Sequence, residues 1–316
     1  MLNESGEMVY ITPSSWCTSL AGGELRKYLI ENRILSVVVN CGHEKVFPDS
    51  ITYSMITVMD KKNHEYMNTV TLYRLDGKEE VYVCTRALEH FITKGLFLFN
   101  NGDLSVVKKV LSEKRETDHV LVKNGFATLN DKLFVVEDES VAKSCGAIPC
   151  VKSSKGHMTN IVFPYDELGK PKQLDELPKN TADYLRNRAT ELNMDITREN
   201  WHLYGRTQAL TDVCRDKYAI SPLMDSKGNI KIRHAPAGCG VYSGLYAVSY
   251  SLSEQQMLMV MTVLQYDDEF VEYVRALGRY KNGGYYTVTS KELQAYINYL
   301  VDRLFEKKAF IEYGDK

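Results

Sequence analysis

The apolar run Ile34–Val39 constrains the fold more than any other part of the sequence. Its β-branched residues are typical of a strand buried on both faces of a parallel-type sheet. Before it, Leu25–Leu29 has apolar residues at i, i+3 and i+4, the spacing of an amphipathic helix. A strand pattern precedes this helix at residues 8–13, and another follows at Ile51–Met59. The order strand, helix, strand, loop, strand predicts an α/β sheet that ends in a hairpin.

Further along the chain, the patterns predict short strands first and helices last. Met67–Leu75 and Glu80–Cys84 are joined through an Asp-Gly turn and predict a hairpin. In the middle of the chain, short strand patterns alternate with turn residues, and a helix is predicted at Thr181–Leu192. Ser253–Gln256 and Thr289–Glu292 are capping boxes that open two further helices.

Length and composition are typical of a two-domain globular protein. At 316 residues the chain exceeds the usual size of one domain, and we predict two, at residues 1–110 and 111–316. The net charge of −2 neither indicates nor excludes a nucleic-acid partner, because a local basic face matters more than the sum. No apolar run approaches the roughly 18 to 20 residues of a membrane span, and the N-terminus lacks a secretory pattern. We expect a cytoplasmic protein whose seven cysteines are reduced thiols.

No metal or hydrolase site is predicted. Cys145 and Cys150 lack the spacing and the second ligand pair of a zinc site. The seven histidines fall at no metal or triad spacing. A nuclease site stays open, because its scattered acidic residues and lysines leave weak signatures.

Three segments, Gly6–Pro13, Leu25–Leu29 and Val46–Asp49, together resemble the closing third of the catalytic domain of a restriction-associated, type II-like adenine-specific DNA methyltransferase. Such enzymes flip the target base out of the duplex and stack it between flat side chains. The resemblance implies that Val46-Phe47-Pro48 is a loop whose Phe47 stacks on the flipped base. The alternative is that Phe47 is a core residue that caps the sheet.

The opening part of such an enzyme has no counterpart in the sequence. The chain contains no Asn-Pro-Pro-Tyr or Asp-Pro-Pro-Tyr, and no strand pattern runs into a Phe-x-Gly-x-Gly turn. The glycine cluster Ala237–Gly240 lacks the context of a cofactor site and is interpreted as a turn. The resemblance therefore implies no catalytic and no cofactor-binding residues in this chain, with S-adenosylmethionine belonging to the complete enzyme.

The resemblance continues into the recognition domain of the same enzymes. Gly125–Phe134 is similar to the Gly-x-x-Thr-x-x-Asp-x-x-Phe segment that opens such domains, and Trp201–Leu210 follows with a Tyr-Gly-Arg-x-Gln run. Arg206 and Gln208 are candidates for contacts to base edges or phosphates, with Lys217 shortly after. The alternative is a buried Arg206 that fixes internal turns.

Two further groups are candidates for DNA contact. A segment that resembles the Gly-Gly-Tyr-Tyr loop of these families combines cations and tyrosines that could hold a phosphate backbone: Arg275, Arg279, Lys281, Tyr285 and Tyr286. Its alternative is a solvated helix end with a tight turn. The other group contains Lys227, Lys231, Arg233 and His234, and its alternative is a charged hairpin edge.

These interpretations predict a C-terminal remnant of a Rossmann-like methyltransferase sheet, followed by a mixed α/β target recognition domain that ends in helices. The expected function is sequence-specific binding of double-stranded DNA as the recognition half of an adenine-specific methyltransferase in a restriction-modification system. The strands before Phe47 should expose an apolar edge. We therefore expect a partner, either a methyltransferase catalytic half or subunit, or a second copy through residues 1–60. The alternative is a stand-alone, non-catalytic DNA-binding or protein-interaction module.

Overall fold

The computed structural model describes residue 3 and residues 6–49, 52–61, 68–100, 103–112, 115 and 117–306. Ile51 and Met67, where two predicted strands begin, lie outside these ranges. The fold is mixed α/β, and the predicted α/β class is confirmed. The strands are, in chain order, β1 (Glu7–Pro13), β2 (Leu35–Asn40), β3 (Ser54–Asp60), β4 (Thr69–Asp76), β5 (Glu79–Ala87), β6 (Ile92–Thr93), β7 (Leu96–Phe97), β8 (Val120–Asn124), β9 (Val135–Val136), β10 (Ala147–Lys152), β11 (His157–Val162), β12 (Lys217–Met224), β13 (Ile230–Ala235), β14 (Gly240–Tyr242), β15 (Leu245–Ser249), β16 (Tyr280–Lys281) and β17 (Tyr285–Thr287). The helices are α1 (Gly23–Asn32), α2 (Ser105–Ser112), α3 (Asp131–Phe134), α4 (Glu139–Ser144), α5 (Lys179–Glu191), α6 (Glu254–Gln265), α7 (Asp268–Leu277) and α8 (Ser290–Val301).

The chain divides into two compact units, each built from separate segments. Unit 1 contains Met1–Glu116, Asp225–Gly228 and Asp267–Val288. Unit 2 contains Thr117–Met224, Asn229–Tyr266 and Thr289–Lys316. The predicted division into 1–110 and 111–316 does not include these returning segments, because a pattern along the chain does not say where a segment packs.

Unit 1 contains a five-stranded sheet with the order β1-β3-β2-β4-β5. β3 is antiparallel to both β1 and β2, so these two strands run in one direction and end, at Pro13 and Asn40, on the same edge of the sheet. β2 is parallel to β4, and β4 and β5 form the predicted hairpin. Of the two neighbours of β2, only β4 is parallel to it, so the parallel-type sheet predicted around residues 34–39 exists on that side of β2 only. The prediction of burial on both faces is wrong at Val37, which is half-buried.

Helix α1 turns a different face inward from the one that its apolar spacing predicts. Leu29 joins the core of unit 1, but Leu25 and Tyr28 are exposed, and Arg26 is buried in their place. The Arg26 guanidinium donates to three backbone carbonyls of neighbouring loops. These bonds satisfy the buried cation and fix the rotation of the helix.

Unit 2 contains two sheets and the C-terminal helices. One sheet has the order β14-β10-β11-β9. In the other, β12 pairs with β13 and β15, and β15 pairs with β8, all antiparallel. The helix predicted at 181–192 is confirmed as α5, and both predicted capping boxes are present, at Ser253 and Thr289.

The buried amide of Asn298 joins helix α8 to the start of β8. The side-chain oxygen of Asn298 accepts bonds from the backbone N–H groups of His119 and Val120, at 2.8 and 3.0 Å. The side-chain nitrogen donates to the carbonyl of Val120 at 2.8 Å. The side-chain oxygen of Gln294, also in α8, accepts a bond from the N–H of Val122 at 2.9 Å, so two side chains of this helix pair with the backbone at an edge of β8.

The Gly-x-x-Thr-x-x-Asp-x-x-Phe segment forms part of the core of unit 2. A β-carbon at Gly125 would lie 2.5 Å from a backbone carbonyl oxygen, so glycine is required by packing. The Thr128 hydroxyl donates to the carboxylate of Asp131. The Phe134 ring meets the Tyr204 ring edge-on at 5.0 Å. The spacing of this segment therefore serves turn formation and packing.

Candidate nucleic-acid interface

Phe47 lies in the loop after β2, near the edge of the sheet where β1 and β2 end. The loop begins at Asn40, whose side-chain oxygen accepts a bond from the N–H of Gly42 at 3.0 Å. Gly42 has a φ of 55°, a conformation that favours glycine. The Phe47 side chain is 46% exposed. The alternative that Phe47 is a core residue is therefore wrong, and its ring is open to a ligand.

β16 and β17 form a hairpin that explains the Gly-Gly-Tyr-Tyr sequence. Tyr280 lies opposite Tyr286, and Lys281 lies opposite Tyr285. The two glycines form the turn, with φ values of 79° and 78°. Only glycine adopts this conformation without strain.

The hairpin and the Phe47 loop meet in one aromatic cluster within unit 1. The ring of His43 lies 4.7 Å from the ring of Tyr280 and 5.0 Å from that of Tyr286. Burial lowers the pKa of His43, so its imidazole is neutral at neutral pH. We refer to residues 41–49 and 280–287 as the loop–hairpin surface.

A hydrogen-bond network beneath this surface joins the end of β2 to the end of α7. The Asn40 side-chain nitrogen donates to the side-chain oxygen of Asn100 at 2.8 Å and to the hydroxyl of Tyr280 at 3.2 Å. The Asn100 side-chain nitrogen donates to the carbonyl of Ala276 at 2.6 Å. Burial raises the pKa of Tyr280 to about 12, so its hydroxyl stays protonated. Side-chain hydrogen bonds thus link β2, α7 and the hairpin next to the loop–hairpin surface.

The cations of the hairpin differ in accessibility. Lys281 is exposed, whereas Arg279 is half-buried. Arg275 is half-buried, and its guanidinium donates to a backbone carbonyl at 2.8 Å. Tyr285 is 41% exposed. Of the predicted contact residues on the hairpin, Lys281 and Tyr285 are therefore the most accessible.

Unit 2 carries Arg206 and Gln208 on its surface. Both side chains are exposed, so the alternative of a buried Arg206 is wrong. The Arg206 backbone pairs with Ala127 through two bonds of 3.0 and 3.1 Å. A β-carbon at Gly205 would lie 2.3 Å from the Leu129 side chain, so this glycine makes room for Leu129. The Tyr-Gly-Arg-x-Gln run is thus a fixed backbone that presents two polar side chains.

Lys217 does not belong to any exposed surface. Its side chain is buried, and its ammonium group donates to the carbonyls of Arg215 at 2.8 Å and Val213 at 3.5 Å. Burial lowers the pKa of Lys217. This lysine has no surface with which to contact a duplex, and we correct its assignment to an internal role.

The outer strand β13 presents cations beside the turn that joins β10 to β11. The Lys231 ammonium and the Arg233 guanidinium each lie 3.3 Å from a carbonyl oxygen of this turn, and both residues are exposed. Lys155, in the same turn, is also exposed. We refer to Lys155, Lys231 and Arg233 as the basic strand surface. His234 instead pairs with a carboxylate at 3.1 Å, and Lys227 lies in unit 1.

Sequence reasoning missed Lys155. The available signal was a Lys-Gly turn between two strand patterns, which is typical of any hairpin. Its importance depends on the position of β13, which is distant in the sequence.

The glycine cluster Ala237–Gly240 is a turn, as interpreted from the sequence. It joins β13 to β14, and the Cys239 N–H donates to the carbonyl of Pro236 at 2.9 Å. Because a strand follows instead of a helix, the cluster does not fit S-adenosylmethionine in the manner of a strand-to-helix glycine turn. Across the ranges that the structure describes, no group of three or more His, Cys, Asp or Glu side chains is arranged to hold a metal ion. None of the helices in those ranges is long and apolar enough to cross a membrane.

Comparison with known proteins finds similarity to restriction-modification enzymes. No family model matches the sequence. Over 277 residues, the chain is 21% identical to "Type II restriction enzyme and methyltransferase RM.Eco57I" of Escherichia coli, a match that covers 72% of this chain and 28% of that enzyme. The chain thus spans less than a third of the length of this relative.

Two solved structures are similar over most of the chain. The type IIL restriction-modification enzyme MmeI in complex with DNA has a TM-score of 0.48 and 9% identity, over 96% of this chain and 47% of that one. A nuclease-deletion mutant of the type ISP restriction-modification enzyme LlaGI, in complex with a DNA substrate mimic, has a TM-score of 0.44 and 11% identity, over 94% of this chain and 35% of that one. Both TM-scores lie below 0.5, so the relationship rests on the sequence match.

Proposed function

We propose, on the premise that this chain is related to the methyltransferases of restriction-modification systems, that it is the DNA recognition half of an adenine-specific DNA methyltransferase. The single observation that carries this proposal is the loop–hairpin surface. The loop that carries the exposed Phe47 packs through His43 against the hairpin that bears Lys281 and Tyr285. Two segments far apart in the sequence, each predicted to contact DNA, thus lie together in one unit.

Phe47 has the properties that base stacking needs. A flipped base is held by flat side chains whose faces are open before the base arrives. Phe47 is exposed on a loop near the carboxyl ends of β1 and β2, the edge of a sheet where α/β proteins place ligands. We assign Phe47 to one face of the flipped base, with the opposite face supplied by the catalytic half.

The polar candidates divide into cations assigned to phosphates and two residues that can contact either bases or phosphates. Lys281 on the loop–hairpin surface and Lys231 and Arg233 on the basic strand surface are assigned to phosphates, which carry no sequence information. Arg206 and Gln208 have side chains able to make paired hydrogen bonds to base edges or phosphates, and both are exposed in unit 2. They are our candidates for base or phosphate contact.

The chain alone is not expected to transfer a methyl group. The sequence lacks Asn-Pro-Pro-Tyr, and the glycine turn at Ala237–Gly240 is followed by a strand instead of the helix of such a cofactor site. S-adenosylmethionine and the catalytic residues are assigned to the other half of the enzyme. We place the complete enzyme in the cytoplasm, where its DNA substrate lies.

The test is duplex binding over a range of salt concentrations, in parallel with a methylation assay that contains S-adenosylmethionine. We expect fluorescence anisotropy to show DNA binding in which the logarithm of the association constant falls linearly with the logarithm of the salt concentration. We expect no methyl transfer. Absence of binding at every salt concentration would contradict DNA recognition. Methyl transfer by the chain alone would contradict the assignment of the cofactor site to another half.

A further inference from the structure

Strand β1 presents apolar side chains that the described residues leave partly exposed. It pairs only with β3 among the described strands, so no described strand pairs with the backbone groups of its other edge. Four consecutive residues are exposed: Met8 by 37%, Val9 by 63%, Tyr10 by 56% and Ile11 by 38%. Between Glu7 and Pro13 the strand has no charge, bulge or proline to protect its edge from pairing.

One face of the sheet next to this edge is also apolar and incompletely covered. In the strand register, Val9 lies opposite Val58, Val37 also lies opposite Val58, and Ile11 lies opposite Ile56. Residues that lie opposite each other in neighbouring strands point to the same face. All five of these side chains are exposed or half-buried. We refer to them as the open face.

The opposite face of β1 borders a groove. It has a volume of about 670 Å³, and Met8, Tyr10, Trp16, Leu25 and Tyr28 are among the residues that line it. Leu25 and Tyr28 are the helix residues that the buried Arg26 turns outward. The edge of β1 therefore has apolar surface on both sides.

We propose that the β1 edge, the open face and the groove together bind the catalytic half of the methyltransferase. This inference rests on the proposed function. The occupant must add a strand to β1 and must cover both faces of the extended sheet. α/β sheets are covered on both faces, so the missing half of such a sheet would supply both the strand and the covering layers. The E. coli relative supports this choice, because most of its length has no counterpart in the match to this chain.

A second copy of the chain does not satisfy the same surfaces. Two copies joined antiparallel through β1 would be related by a two-fold axis perpendicular to the sheet. Both α1 helices would then lie on one face, and the open face would stay uncovered in both copies. The geometry therefore favours a different chain segment over a dimer.

The experiment is co-expression of the full chain with the part of the E. coli relative that has no counterpart here. Capture on a tag carried by the probe is measured for the natural chain, for Val9→Lys and for Leu168→Lys. Leu168 is 66% exposed in unit 2, which makes it a matched control. We expect capture of the natural chain and of Leu168→Lys, with capture of Val9→Lys weaker by at least roughly tenfold, because a lysine cannot be buried unpaired in the new interface.

A backbone readout accompanies the capture assay. In the complex, hydrogen exchange of the β1 amides should slow by at least roughly tenfold, as pairing protects them. Absence of capture, or equal capture of Val9→Lys, overturns the inference. A concentration-dependent dimer of the chain alone that Val9→Lys abolishes also overturns it, in favour of a second copy.

Failure of this inference is distinguishable from failure of the proposed function. Val9 lies outside the loop–hairpin surface and the basic strand surface, so Val9→Lys is expected to bind duplex DNA as the natural chain does. Loss of DNA binding by the natural chain would refute the recognition function, whereas intact DNA binding without capture would refute the docking surface alone.

Discussion

At the scale of a single residue, variants of Phe47 test its contact with DNA separately from its contribution to stability. Because its side chain is about half exposed, Phe47→Ala should lower the free energy of unfolding by no more than about 1.5 kcal/mol, half of the upper value for full burial of a Phe. Loss of a stacking face should weaken binding to a duplex with a mismatched adenine by about 1 to 3 kcal/mol. Phe47→Trp keeps a flat ring and should retain the affinity. Equal affinity of the Ala and Trp variants in an anisotropy titration would remove Phe47 from the base site.

Lys217 gives a pH-dependent prediction. Burial lowers its pKa below the ordinary 10.5. At pH values between the folded and the unfolded pKa, the unfolded chain therefore binds a proton that the folded chain does not. The contribution of this lysine to stability therefore rises with pH and levels off above the unfolded pKa. Lys217→Met removes the group. The unfolding free energy of the natural chain minus that of the variant should therefore become more positive as pH rises towards 10.5. Urea unfolding at several pH values measures it, and a constant difference would contradict the assignment.

At the scale of secondary-structure elements, α8 and β8 depend on Asn298. Asn298→Leu removes two bonds to the backbone of Val120 in β8 and one to the N–H of His119 just before it, and leaves these groups without the Asn298 partner. We expect a loss of roughly 2 to 4 kcal/mol in the free energy of unfolding. Lys291→Ala, on the exposed side of the same helix, is the control and should change it by no more than about 0.5 kcal/mol. A loss equal to the control would show that packing, and not the amide, joins the two elements.

The elements that depend on local chemistry were predictable from sequence. The capping boxes at Ser253 and Thr289 and the Asp-Gly hairpin are formed by neighbours within a few residues. The inward face of α1 was not predictable, because Arg26 is buried by carbonyls from other loops. Apolar spacing could not reveal those carbonyls. The same limit applies to Lys217, whose burial depends on the turn that precedes β12.

The candidate site was predictable as a set of residues but not as an arrangement. Phe47 and Lys281 both came from sequence, yet nothing in the sequence showed that the hairpin packs beside the Phe47 loop. That proximity depends on the return of residues 267–288 to unit 1. Lys155 joined the list only because its turn lies beside Lys231.

At the scale of the whole molecule, DNA binding should depend on salt through a countable set of cations. Replacing both Lys231 and Arg233 by alanine should reduce the slope of log affinity against log salt by about 2, close to one for each phosphate contact. The reduction should be the same for duplexes of different sequence, because phosphate contacts do not read bases. Lys179→Ala, an exposed lysine elsewhere in unit 2, should leave the slope unchanged. An unchanged slope in the double variant would assign these cations to protection of the β13 edge.

Because unit 1 is built from separate segments, its parts become available for folding at different times during synthesis. The residues of its sheet leave the ribosome before unit 2, but α7 and the β16–β17 hairpin, which belong to the same unit, emerge only after most of unit 2 has been translated. Until then, the Asn100 side chain lacks the carbonyl of Ala276, and His43 lacks Tyr280 and Tyr286. The nascent chain therefore carries an incomplete unit 1 while most of unit 2 is synthesised, and unit 1 is completed late.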